Sequence, residues 1–110
     1  MKINHDLAVP PLLTPQGKLV CEKIFEYLQR YKLTSTNGCR TFYSPEEWIS
    51  RGEKYGKGSV LIVVYDGSDV REAFESDYKL DHEEGMRAAL DSIGFYPERC
   101  TCWYTAIYPV

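Results

Sequence analysis

SVLIVVYDG, at residues 59–67, is the stretch of this 110-residue chain that decides its fold. The side chains from Val60 to Tyr65 are all apolar or aromatic. Such a run is typical of a central strand covered on both faces, because a strand with one wet face alternates apolar and polar residues. Asp66 and Gly67 are the residue types of a tight turn. The sequence therefore predicts a buried strand over residues 59–65.

Two helix starts precede this strand. Thr14 and Pro15 combine a capping residue with a proline at the first helical position. Apolar residues then recur every three or four positions, which predicts an amphipathic helix that ends near residue 32. Residues 39–43 form a weak strand pattern. Ser44, Pro45 and Glu47 predict a second helix with a capping box, from which three side chains are expected to face the core: Trp48, Ile49 and Tyr55.

Beyond the central strand, Asp69 and Asp81 are candidate caps of two further helices. Residues 100–108 are rich in β-branched and aromatic side chains, which predicts a final strand. The fold class is therefore α+β, with a small sheet of about three strands and three to four helices packed on it. Residues 14–110 form one globular domain. Residues 1–13 lack a periodic pattern and form a flexible lead-in.

Composition and charge set the broad class of the protein. Hydrophobic residues make up 44% and charged residues 26% of the chain, as in an average globular domain. No apolar run reaches the length of a signal peptide or of a membrane span. We therefore expect a cytoplasmic protein with no membrane partner, in which the four cysteines remain thiols. The net charge of −3 excludes a uniformly basic nucleic-acid binder.

The favoured function is a non-enzymatic interaction module that binds a protein partner or a second copy of itself. Two features support it: residues 66–84 carry eight acidic side chains against two basic ones, and the chain contains nine tyrosines and two tryptophans. Tyrosine and tryptophan are enriched at binding surfaces, and charge steers association. The predicted partner-binding residues are Asp66, Asp69, Glu72, Glu75, Asp77 and Tyr78.

Two alternatives remain open. The first is a small metal-assisted enzyme centred on Asp66, which follows the central strand, with Asp69 and Asp77 as further ligands of a hard cation. The second is a single-stranded nucleic-acid binder. It would use the basic, glycine-rich stretch before the central strand, whose candidate contacts are Arg51, Lys54, Tyr55 and Lys57.

Cysteine chemistry is not favoured. Cys39, Cys100, Cys102 and His82 lack the C-x-x-C spacing of common zinc sites, and no thiol begins a helix. We therefore predict no metal, no cofactor and no catalytic residue.

Overall fold

The computed structural model describes residues 5–75 and 80–110, and within them the architecture is α+β. Four strands form one sheet: β1 (Phe42–Tyr43), β2 (Leu61–Val64), β3 (Phe95–Arg99) and β4 (Tyr104–Pro109). Three α-helices accompany the sheet: α1 (Pro15–Arg30), α2 (Pro45–Ser50) and α3 (Leu80–Asp91). Two short 3₁₀ helices cover His5–Leu7 and Asp69–Ala73.

The sheet is antiparallel throughout, with the strand order β1-β2-β4-β3. All four residues of β2 are buried, so the predicted central strand is confirmed. The sheet has one strand more than the roughly three that the sequence predicts. The strand that the sequence does not predict is β3, because Pro97, Glu98 and Arg99 are residue types more typical of a loop than of a strand. Cys100 and Cys102 lie in the turn between β3 and β4, not within a strand.

Pro97 occupies a position that suits an edge strand. The amide of Cys100 donates to the carbonyl of Tyr104, and the amide of Val110 donates to the carbonyl of Gly94. Hydrogen-bonded residues alternate along an antiparallel ladder. The backbone N–H and C=O groups of even-numbered residues of β3 therefore point at β4, and those of odd-numbered residues point outward. Pro97 therefore removes no ladder hydrogen bond. It also deprives the outer edge of a donor, which discourages pairing with another sheet.

Helices α1 and α3 cover one face of the sheet, and α2 covers part of the other. On the first face, Leu61, Val63 and Ile107 belong to one buried cluster with side chains of both long helices. On the second face, Ile62 and Ala106 pack with Trp48 of α2, which is fully buried. Ile49 and Tyr55 do not join the core as predicted. Ile49 is 45% exposed because only one side of so short a helix meets the sheet, and Tyr55 is 54% exposed because it lies in the loop beyond the helix.

The lead-in predicted over residues 1–13 is held against the domain from His5 onward. Leu7 and Leu13 belong to the core of the first face. The carbonyl of Asp6 accepts from the Thr41 amide at 2.8 Å, and its carboxylate accepts from the Thr36 hydroxyl at 2.8 Å. Leu12, between these anchored residues, borders the same pocket as Arg40 and Tyr43. No helix among the described residues is long and apolar enough to cross a membrane.

Tyr27 of α1 fixes α3 in place. Its hydroxyl lies 3.1 Å from the carbonyl oxygen and 3.2 Å from Nδ1 of His82. Gly85, one turn further along α3, lies so close that an added Cβ would stand 2.4 Å from the same hydroxyl. Any larger residue at this position would force the Tyr27 side chain to shift.

We expect Gly85→Ala to destabilise the protein by up to about 2 kcal/mol. Alanine gains about 1 kcal/mol in helix propensity, but the overpacking against Tyr27 outweighs that gain. Urea unfolding measures the difference. In a double-mutant cycle, Tyr27→Phe should cost less in the Gly85→Ala background than in the wild type. A stabilised Gly85→Ala variant would contradict the contact.

Candidate functional site

Four aromatic rings from three chain segments form a continuous cluster on the second face. The Trp48 ring centroid lies 5.0 Å from that of Tyr43, 4.8 Å from that of Tyr104 and 5.7 Å from that of Trp103. The rings are inclined at 57–66°, a range that includes the edge-to-face packing favoured by their quadrupoles. Burial raises the pKa of the Tyr104 hydroxyl. Trp48 is therefore the centre that holds α2, β1 and β4 together.

Two arginines stack on this aromatic cluster. The guanidinium carbon of Arg40 lies 4.1 Å from the Tyr43 ring centroid. That of Arg51 lies 4.5 Å from the Trp48 ring and 5.4 Å from the Tyr43 ring. Cation–π contacts of this kind contribute about 0.5–1 kcal/mol at exposed positions. They also restrict the side chains, so both guanidiniums are held in defined positions before any ligand binds.

The arginines border a groove of about 390 Å³, which we call the arginine–aromatic groove. Its volume lies within the range of about 300–1,000 Å³ typical of ligand sites. It is open along one side and lined by Leu12, Arg40, Tyr43, Glu46, Glu47, Ser50 and Arg51.

The two arginines differ in how many hydrogen bonds and ion pairs their guanidinium groups already form within the protein. Arg40 Nε donates to the Phe42 carbonyl at 3.0 Å, and its Nη2 donates to both carboxylate oxygens of Glu47 at 2.9 and 3.1 Å. Arg51 makes one long ion pair, 3.6 Å from Glu53, among the described residues. Stacking uses the face of a guanidinium and leaves its N–H edge free. Arg51 is therefore the donor that the groove offers to a ligand.

Leu12, which also lines the groove, has an unusual backbone conformation. Its φ is +65°, and its side chain is 65% exposed. The left-handed region costs a leucine roughly 1–2 kcal/mol, since its Cβ approaches the following carbonyl. Leu13 is buried in the core. This anchoring of Leu13 directs Leu12 outward, and strained residues of this kind cluster at functional sites.

Glu47 links the helix cap to the groove. Its carboxylate accepts from the Ser44 amide at 3.0 Å, while the Ser44 hydroxyl accepts from the Glu47 amide at 3.1 Å, so the predicted capping box is confirmed. Burial alone would raise the pKa of this carboxyl. The Ser44 amide and the Arg40 guanidinium outweigh that effect, and the pKa falls below its ordinary value of 4.5.

The lowered pKa of Glu47 predicts a pH-dependent contribution to stability. A carboxyl whose pKa is lower in the folded than in the unfolded state stabilises the protein above the unfolded value, and this stabilisation is lost as the pH falls through the folded value. We expect Glu47→Gln to cost about 0.5–1 kcal/mol at neutral pH. The cost should shrink as the pH falls below about 4.5 and become smallest below the folded pKa, where both variants are uncharged at this position. Urea unfolding across that range measures it, with the exposed neighbour Glu46→Gln as control. A cost independent of pH would contradict the ion pair.

The predicted acidic surface is only partly formed by exposed side chains. Asp66 and Asp69 are exposed and Glu72 is half-buried. The Glu75 side chain is only 4% exposed and is ion-paired with Arg71 and, at 3.7 Å, with Arg99. Glu75 is therefore held in a buried ion-pair cluster. The remaining two predicted residues, Asp77 and Tyr78, lie outside the described residues.

The predicted basic stretch crosses the second face beside the groove. Gly56 is buried at φ +102°, and an added Cβ would lie 2.6 Å from Cδ1 of Ile62. This close approach fixes the loop on the sheet. Lys54, Tyr55 and Lys57 are exposed on either side of Gly56, whereas Arg51 is turned into the groove.

Three of the four thiols, those of Cys21, Cys39 and Cys100, are poor candidates for chemistry. All four cysteines are free, and burial raises the pKa of Cys21 to about 12 and that of Cys39 and Cys100 above the ordinary value. A reactive thiol needs the opposite shift. Within the part of the chain that the structure describes, no group of three or more His, Cys, Asp or Glu side chains is arranged to hold a metal ion.

Comparisons with protein-family models, with curated proteins and with solved structures find no match to this chain.

Of the seven groove residues, only Arg51 was predicted as a binding residue, and the sequence analysis missed that role for Leu12, Arg40, Tyr43, Glu46, Glu47 and Ser50. Arg40 and Tyr43 have a visible signal, because an arginine three positions before an aromatic residue and next to a capped helix can stack on it. Leu12 has none, since its role depends on a left-handed φ that no leucine side chain indicates.

Proposed function

We propose that this protein is a non-enzymatic interaction module that binds a peptide segment of a protein partner in the arginine–aromatic groove. The single observation that carries the proposal is the Arg51 guanidinium, stacked on Trp48 and Tyr43 with its N–H edge little used. Arginine, tyrosine and tryptophan are the residues that most often dominate binding energy at protein interfaces.

The lining of the groove indicates the chemistry of the segment it would bind. Arg51 suits a carboxylate, because its planar fork matches the two oxygens. Leu12 and the ring of Tyr43 offer an apolar surface beside it. Glu46 and Glu47 oppose a segment that is acidic along its whole length. The expected ligand is therefore a short segment that pairs one Asp or Glu with one bulky apolar residue.

Selection from a library of displayed short random peptides tests the proposal. The wild-type protein and an Arg51→Ala, Leu12→Gly double variant are screened in parallel. We expect the wild type alone to enrich peptides that combine an acidic and an apolar residue. Enrichment of the same peptides on both proteins would place binding elsewhere, and sedimentation would show whether a second copy occupies the groove.

Leu12→Gly separates stability from binding. Glycine adopts φ +65° without strain, although it adds entropy to the unfolded chain. We therefore expect the free energy of unfolding to stay within about 1 kcal/mol of the wild-type value or to rise. Affinity for the selected peptides should fall. A clear loss of stability in this variant, measured by urea unfolding, would show that the leucine supports the fold instead.

Single-stranded nucleic acid is the second candidate, and one observation favours it. Tyr55 is 54% exposed between Lys54 and Lys57, on a loop that Gly56 fixes to the sheet. An exposed ring flanked by cations can stack on an unpaired base. Fluorescence anisotropy with labelled oligothymidine tests it. Binding that weakens steeply with salt and is lost in Tyr55→Ala would support this candidate over the peptide.

A further inference from the structure

We propose that a second site, on the first face of the sheet, binds a small zwitterion such as a free amino acid. The site is a partly open cavity of about 160 Å³ bordered by residues of α3, β3, β4 and the end of the 3₁₀ helix Asp69–Ala73. This volume equals the share of about five water molecules in the liquid. It is smaller than the roughly 300 Å³ of sites for drug-sized ligands, so it suits a molecule of a few heavy atoms.

Charges of both signs line this cavity. Arg87 and Arg99 contribute guanidiniums, and Glu83 contributes a carboxylate. Glu83 and Arg87 lie one helical turn apart on α3, yet they are not among the ion pairs within 4.0 Å of the described residues. A ligand that carries a carboxylate and an ammonium group would satisfy both signs, whereas a simple anion would meet the repulsion of Glu83.

A buried polar cluster holds the floor of the cavity rigid. Glu75, 4% exposed, is ion-paired with Arg99 at 3.7 Å and also with Arg71, so it keeps the Arg99 guanidinium in place. The Tyr65 hydroxyl lies 2.9 Å from the hydroxyl of Thr105, another cavity residue. A preorganised site of this kind loses little entropy on binding.

The volume of the cavity limits the size of the ligand. Phe74 and Pro97 add an apolar part to the lining. A space of about 160 Å³ suits glycine or alanine better than an amino acid with a side chain as large as that of leucine. The cavity lies on the first face of the sheet, whereas the arginine–aromatic groove borders the aromatic cluster of the second face. Ligand binding in the cavity therefore does not depend on the groove.

Calorimetric titration of the full chain with five probes tests the site: glycine, alanine, leucine, acetate and methylammonium. We expect binding of glycine and alanine, and at least tenfold weaker binding of the other three. Arg87→Gln and Glu83→Gln should each weaken glycine binding roughly tenfold or more, because each removes one charged partner. Neither side chain belongs to the core, so both variants should fold, and the exposed Arg30→Gln is the matched control.

Three results would overturn the inference. These are an absence of heat with glycine and alanine, acetate binding as tight as glycine binding, and glycine affinity that is unchanged in both Arg87→Gln and Glu83→Gln.

Discussion

Trp48→Ala is expected to remove about 3–5 kcal/mol of folding free energy, the usual cost of truncating a buried tryptophan. Trp48 is fully buried, contacts three other aromatic rings and underlies Arg51. Its removal leaves a cavity between α2 and the sheet. Because a domain of this size has only about 5–15 kcal/mol of stability, the melting temperature should fall by more than about 10 °C.

The adjacent residue of α2 is a matched control. Ile49 is 45% exposed, so Ile49→Ala should change the free energy of unfolding by less than about 1 kcal/mol. Thermal and urea unfolding of both variants measure the difference in their free energies of unfolding. If Trp48→Ala cost no more than Ile49→Ala, α2 would not be anchored by its tryptophan, and the groove would lose its structural base.

Arg51→Ala is expected to weaken binding of a selected peptide about 30-fold or more, the effect of losing a binding hot spot of about 2 kcal/mol. The guanidinium offers its N–H edge to the peptide carboxylate, and no other described groove cation is equally unoccupied. Arg51→Lys should recover only part of the affinity, because an ammonium lacks the planar fork and stacks less well.

Lys54→Ala is the control for this effect. It removes an exposed positive charge three residues away without touching the groove lining, so affinity should change by less than about threefold. Circular dichroism and urea unfolding verify that Arg51→Ala remains folded. Equal losses in Arg51→Ala and Lys54→Ala would reduce the role of Arg51 to general electrostatic attraction.

Helices α1 and α2 and the central strand could be predicted from the sequence because each has a local signal. Thr14, Ser44 and the apolar run of β2 specify caps and burial over a few residues. The caps predicted at Asp69 and Asp81 were wrong, because Ser68 caps the 3₁₀ helix Asp69–Ala73 and Asp81 lies inside α3.

Strand β3 could not be predicted from such a local signal. Its outward positions include Pro97, and only the pairing of Phe95 with Pro109 and of Arg99 with Thr105 makes it a strand. That pairing is a tertiary contact with no local pattern.

The candidate site was harder to predict than the fold. Arg51 was predicted as an anion contact, but its stacking on Trp48 arises only when α2 packs on the sheet. Glu75 shows the reverse problem. In the sequence it is one of many acids in a solvated stretch, whereas the fold surrounds it with Arg71 and Arg99. The number of charged side chains can be read from the sequence. Only the packing of the fold determines which of them form ion pairs.

Amide NMR spectra of isotopically labelled protein, recorded during titration with a selected peptide, test the central claim most directly. If the arginine–aromatic groove is the binding site, the largest shift changes should map to Leu12, Arg40, Tyr43, Glu47 and Arg51. Small changes are expected at the exposed acidic residues Asp66 and Asp69, which do not line the groove. Shift changes confined to these two acidic residues, with the groove amides unmoved, would contradict the proposed site.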